Sequence, residues 1–152
     1  MKEVLTVFVA SSIRGIFETE RASLATCALR LNGCREDRYI DTIECELEPQ
    51  FVAPKGTQHE LNEKLRQSDV ALFLVGESLG AYTAQELEVA ARAFRQAGRP
   101  RVVLRFREEF SAQNRALFAR CVEEGFDCAY YRGTEDLWRW LQSVQEDDAL
   151  WQ

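Results

Sequence analysis

A doubly wound α/β fold, a parallel sheet covered by helices on both faces, is what this sequence predicts. Three observations carry the prediction. Apolar runs of strand length alternate with segments of helical period from one end of the chain to the other. One of those runs, Val70 to Val75, is apolar at every position, as expected for a strand buried on both faces. No repeat, low-complexity tract or Pro/Gly-rich linker divides the 152 residues, and 46% apolar content suits a single core. The expected organisation is one domain over residues 1–146 with a loose tail at 147–152, whose Trp151 is the one residue suited to dock on it.

The elements follow in order. A first strand is expected at Leu5 to Ala10. A first helix follows at Ile16 to Leu31, where Phe17, Leu24, Ala28 and Leu31 recur at helical spacing, and Asn32-Gly33 supplies its stop. The second strand, Thr42 to Leu47, alternates Ile43, Cys45 and Leu47 with Thr42, Glu44 and Glu46. One face is therefore wet, and the strand belongs at an edge. A second helix is expected near Gln58 to Arg66, with Leu61 and Leu65 inward, and the third strand, Val70 to Val75, takes the centre of the sheet. The third helix, Ala84 to Ala97, ends at Gly98, and RPRVVLRF supplies the fourth strand. A fourth helix at Ala112 to Glu124, a fifth strand at Asp127 to Tyr131 and a fifth helix at Glu135 to Val144 complete the set. With the second strand at an edge and right-handed crossovers, the flavodoxin-like order 2-1-3-4-5 follows. In such a sheet the ligand crevice opens at the carboxyl ends of strands 1 and 3, here ASSIRGIF and GESLGAYT.

Composition excludes several classes. Nineteen Lys and Arg against 25 Asp and Glu give a net charge of -6, the wrong sign for gathering nucleic-acid backbones. The longest apolar runs fall far short of the roughly 20 residues of a membrane helix. One Lys precedes the first apolar run and Thr6 interrupts it, so no secretory leader is expected and the location expected is cytoplasmic. Five cysteines without a C-x-x-C pattern indicate neither a disulfide framework nor a zinc site, and a single His, His59, offers no metal-binding spacing.

The third-strand crevice carries two readable motifs. GESLG, from Gly76 to Gly80, has the form and setting of a nucleophile elbow, but no His follows Ser78 to act as its base. The glycines are better read as permitting a tight turn beside a ligand. Thr83 and Glu86 form a T-x-x-E capping box, as do Thr57 and Glu60 before the second helix. By local pattern Glu86 is a cap; by position, in the first turn of the helix bordering the crevice, it is a candidate catalyst. A single fixed carboxylate is enough to cleave the N-glycosidic bond of a cationic nicotinamide. That leaving group needs no general acid, and what remains is to stabilise or attack an oxocarbenium-like ribose. After the first strand, Ser11, Ser12 and Arg14 offer hydroxyls, a guanidinium and helix-start amides suited to phosphate, or else a polar turn capped by Ser12. Arg105 and Arg107 either reach a second phosphate or pair with Glu108, Glu109 or a neighbouring helix.

The segment VFVASSIRGIFETERASLATCALRLNG, residues 7–33, resembles the opening of bacterial Toll/interleukin-1 receptor (TIR)-like domains. SDVALFLVGESLGAYTAQELEVAARAFRQAGRPRVVLRF, residues 68–106, is similar to the TIR-like and nucleoside-deoxyribosyltransferase-like pattern of strand, Gly-containing loop and Glu-bearing helix. Tyr82 and Thr83 stand where TIR domains usually have Ser or Cys shortly before that Glu, and Gly15 where their first box often has Asp. The resemblance implies a flavodoxin-like fold, Glu86 as the catalytic residue, NAD as substrate rather than cofactor, self-association on activation, and a signalling role in antiphage defence. The site expected on these grounds is Glu86 with Ser11, Ser12, Arg14, Phe17, Gly76, Tyr82 and Thr83 around the substrate, without metal, nucleic acid or membrane. A non-catalytic TIR-like interaction module is the alternative, and nucleoside deoxyribosyl transfer a further one.

Overall fold

The structure is a computed structural model that describes residues 2–11, 16–44 and 55–151, with the backbone alone described for 55–59. Five strands alternate with five helices: β1 (Glu3–Ser11), α1 (Glu18–Cys34), β2 (Arg38–Glu44), α2 (Lys55–Gln67), β3 (Val70–Val75), α3 (Ala81–Ala97), β4 (Arg101–Arg107), α4 (Arg115–Glu123), β5 (Asp127–Tyr131) and α5 (Thr134–Glu146). Short 3-10 turns occupy Glu108–Phe110 and Asp148–Leu150. All strand pairings are parallel, and their order is β2-β1-β3-β4-β5, as the sequence predicts.

Strand alternation divides the core into two layers. Leu5, Val7 and Val9 of β1 and Leu72 and Leu74 of β3 pack beneath α1 and α5, with Leu24, Cys27, Leu137 and Leu141. Phe8, Ala10, Ala71, Phe73 and Val75 point the other way, under Leu65 of α2, Leu87 and Ala90 of α3 and Cys121 of α4. Every residue of β3 is buried because it meets both layers. Gly98 ends α3 in the left-handed region at φ 75, its N–H donating to Phe94 O at 2.7 Å.

Four expectations need correction. α1 does not stop at Asn32-Gly33 but runs through Cys34. Asn32 keeps its helical place because its side chain serves β2: Oδ1 accepts from Ile40 N–H at 2.7 Å, and Nδ2 donates to Ile40 O at 3.0 Å. β2 accordingly begins earlier than expected, at Arg38, which donates to Gln145 O and Asp148 Oδ1, each at 2.6 Å. The expected alternation at Cys45 and Leu47 lies outside the described residues. The fourth helix begins at Arg115 rather than Ala112, behind a 3-10 turn at Glu108–Phe110, with Asn114 between them donating to Gly76 O at 2.7 Å and Phe110 O at 3.2 Å. Finally, the tail is packed: Trp151 is buried, its Nε1–H donating to Val144 O at 2.9 Å.

Candidate active site

The capping box expected at Thr83 and Glu86 does not form. α3 begins at Ala81, three residues earlier than the motif implies. Gly80 is its N-cap, extended at φ -64 and ψ 159, and Ala84 N–H closes the first turn on Gly80 O at 2.8 Å. Thr83 therefore lies inside the first turn, where its hydroxyl has no role as an N-cap acceptor. The same shift applies at Thr57, which α2 takes into its helix by starting at Lys55.

This leaves two buried polar side chains, three residues apart on one face of α3, without an evident structural task. Thr83 Oγ1 is buried with no hydrogen-bond partner among the described residues. Glu86 is 5% exposed, and among the described residues its carboxyl takes part in no hydrogen bond or ion pair. Burial alone pushes its pKa from 4.5 to about 7. At neutral pH such a group is close to equal parts acid and carboxylate, the range in which catalytic carboxyls operate.

The other expected residues scatter around this pair. Gly76 follows β3 and is buried, and its missing side chain makes room for an aromatic ring, since a Cβ there would lie 3.2 Å from Phe17 Cζ. Phe17, expected to line the substrate pocket, is instead wholly buried in the α1/α5 layer, on the opposite side of the sheet from α3. Tyr82, one turn before Glu86, is exposed, as is Ser78. Ser11, at the end of β1, accepts from Arg21 Nη1 at 3.2 Å. Ser12 and Arg14 lie outside the described residues.

A second polar constellation, unmarked by any local motif, sits at the ends of β4 and β5. Glu20 of α1, 6% exposed, accepts at Oε2 from Arg107 Nε at 2.9 Å, Arg107 Nη2 at 2.7 Å and Tyr131 O–H at 2.7 Å. Arg107 also donates to Ile16 O, and its guanidinium carbon lies 4.6 Å from the centroid of Phe17. Burial opposes the Arg107 charge, but the hydrogen bonds with Glu20 and Tyr131 outweigh it and raise the pKa. Burial, reinforced by Glu20, likewise holds the Tyr131 phenol well above its ordinary range. Of the partners expected for Arg107, the neighbouring helix supplies the close one; Glu109 is 3.9 Å away. Arg105 turns instead to Asp127 on β5, at 3.1 Å, and over the ring of Trp140. The Glu20, Arg107 and Tyr131 group lines a cavity of about 740 Å³ together with Thr19, Glu108, Glu109, Arg132, Gly133 and Thr134.

The comparisons add to this geometry. No family model matches the chain, and no curated protein does. Among solved structures, the CMP N-glycosidase BcmB of Clostridium botulinum aligns over 91% of this chain and 98% of its own, with TM-score 0.57 and 17% identity. The fold is shared with a nucleotide N-glycosidase. RosB, solved with a bound riboflavin phosphate intermediate, aligns over 85% of this chain and 65% of its own at TM-score 0.43 and 12% identity. Among the described residues no helix is long and apolar enough to cross a membrane.

Proposed function

We propose that this chain cleaves the N-glycosidic bond of a nucleotide, with Glu86 as the catalytic carboxylate. One observation carries the reading: a carboxyl without a partner is held buried beside an unpaired hydroxyl, at the start of the helix that follows the central strand. Burying an unpaired acid works against folding, so its place calls for a role outside stability. The shared fold with a CMP N-glycosidase supports the same class of reaction.

Within that class NAD is the favoured substrate. As the bond from C1′ to the nicotinamide nitrogen breaks, the electron pair leaves with the base, which departs neutral and needs no proton. The Glu86 carboxylate faces the ribosyl cation or bonds to it, and water then adds to C1′ and releases a proton. In a cyclase, a nitrogen of the adenine adds in place of water. The resemblance of residues 7–33 and 68–106 to TIR-like domains supports this choice, and with it a cytoplasmic signalling enzyme of antiphage defence that is active when self-associated.

A nucleoside monophosphate is the second reading, favoured by the likeness to BcmB. Its neutral base must be protonated in order to leave, so the two readings differ in their pH dependence. With NAD, kcat/KM should rise with pH and level off above the Glu86 pKa of about 7, because only the ionised form acts. With CMP, the rate should fall again on the alkaline side. The deciding experiment follows nicotinamide release from NAD and cytosine release from CMP, using wild type, Glu86→Gln and, as a control on exposed α2 surface, Glu60→Gln. Loss of turnover in Glu86→Gln alone supports the enzyme. A wild type inert toward both substrates, at high concentration and under crowding, returns the chain to the interaction-module alternative.

A further inference from the structure

We infer that the cavity at the ends of β4 and β5 binds the second nucleoside phosphate of a dinucleotide, so that the substrate lies across the carboxyl edge of the sheet. The inference rests on the proposed glycosidase reading and specifies its substrate class.

Three features of the structure support it. The first is placement. Glu86 and Thr83 belong to α3, on the layer with Phe73 and Val75, whereas the cavity lies on the opposite layer, between the start of α1 and the start of α5. Dinucleotides in open parallel sheets cross the carboxyl edge where the winding reverses, which here is between β1 and β3. Phe17 lies under Arg107 at the end of β4 and so near Gly76 at the end of β3 that a Cβ there would come within 3.2 Å of its ring.

The second feature is room. About 740 Å³ falls within the range of roughly 300–1,000 Å³ typical of small-molecule sites.

The third is the chemistry of the lining. Among the described residues the three donors to Glu20 converge on Oε2, which leaves Oε1 of a side chain only 7% exposed to accept from a sugar hydroxyl. Arg107 is held by Nε and Nη2 on Glu20 and Ile16 O, and Nη1, with Glu109 at 3.9 Å and beyond hydrogen-bonding range, is the edge it presents to an incoming phosphate. α5 starts after Gly133, an N-cap with no side-chain acceptor, so among the described residues the Thr134 amide is uncapped at the cavity wall, while that of Asp136 donates to Gly133 O at 3.2 Å. Glu108 on the rim pairs with the exposed Arg132 at 2.5 Å. Acceptor, cation and open amide together match a ribose phosphate.

The test measures AMP, ADP-ribose and nicotinamide mononucleotide binding by calorimetry, to the wild-type chain and to Thr134→Asp. The substitution puts a negative charge where the phosphate is inferred to sit. An acid at the first position of a helix favours the helix, so the variant is expected to fold. The expected result is that affinities for AMP and ADP-ribose fall about tenfold or more relative to that for nicotinamide mononucleotide. AMP binding that is absent, or that is indifferent to Thr134→Asp, overturns the inference. NAD turnover with an unchanged KM in Thr134→Asp also overturns it while the glycosidase stands. AMP binding lost in Thr134→Asp, in a protein that releases no nicotinamide, supports the cavity and rejects the glycosidase.

Discussion

Replacing Glu86 with Gln should make the protein more stable at pH 8 and leave it nearly unchanged at pH 4. In the folded state the carboxyl ionises at about 7, against 4.5 when free of burial. Below 4.5 both states carry the proton and the favourable difference is fully present. As pH rises toward 7, the unfolded chain releases its proton while the folded chain keeps it, so stability falls and then levels off above the folded pKa. A displacement of that size corresponds to ~3 kcal/mol at about 1.36 kcal/mol per pH unit. Gln does not titrate, so the variant escapes this loss while filling nearly the same volume. Urea unfolding of both proteins at pH 4 and pH 8, followed by circular dichroism, isolates the contribution, because every other carboxylate is common to the pair. The difference should be near zero at pH 4 and ~3 kcal/mol in favour of Gln at pH 8, alongside loss of the proposed N-glycosidase activity. A variant less stable at pH 8 would refute the reasoning, since it would mean that the carboxylate is held ionised by partners.

Thr83→Val should raise stability by about 1 kcal/mol in thermal melts, because the hydroxyl it removes is buried and unpaired while the side-chain shape is kept; a loss would show that the hydroxyl is bonded. Arg107→Ala should cost about 3–5 kcal/mol in chemical denaturation, since it leaves the Glu20 carboxylate buried without its cation. Arg107→Lys should recover only part of this, because an ammonium cannot reproduce the paired bonds to Glu20 Oε2. Gly76→Ala should cost about 1–3 kcal/mol by pressing its Cβ against Phe17, and a double-mutant cycle with Phe17→Leu should show the cost shrinking as the ring is removed.

Much of the architecture could be read from residue order because it follows from local periodicity. Val70 to Val75 predicts its own place at the centre, and the structure buries each of its residues. The edge position of β2, the left-handed stop at Gly98 and the order 2-1-3-4-5 follow in the same way. Short-range patterns failed where a side chain had a distant alternative. Asn32 has the local character of a helix stop, yet Ile40 offers it two backbone bonds, so the helix continues.

The site shows the same division. The sequence alone determines that a carboxylate follows the central strand, and that the fold's crevice lies there. Whether it closes a capping box is decided by where α3 begins, and that depends on packing Thr83, Glu86, Leu87 and Ala90 onto the sheet. Glu20 and Arg107 lie 87 residues apart. Only the parallel sheet, which gathers its strand ends at one edge, brings them into a single buried group, and no local pattern encodes a contact of that span.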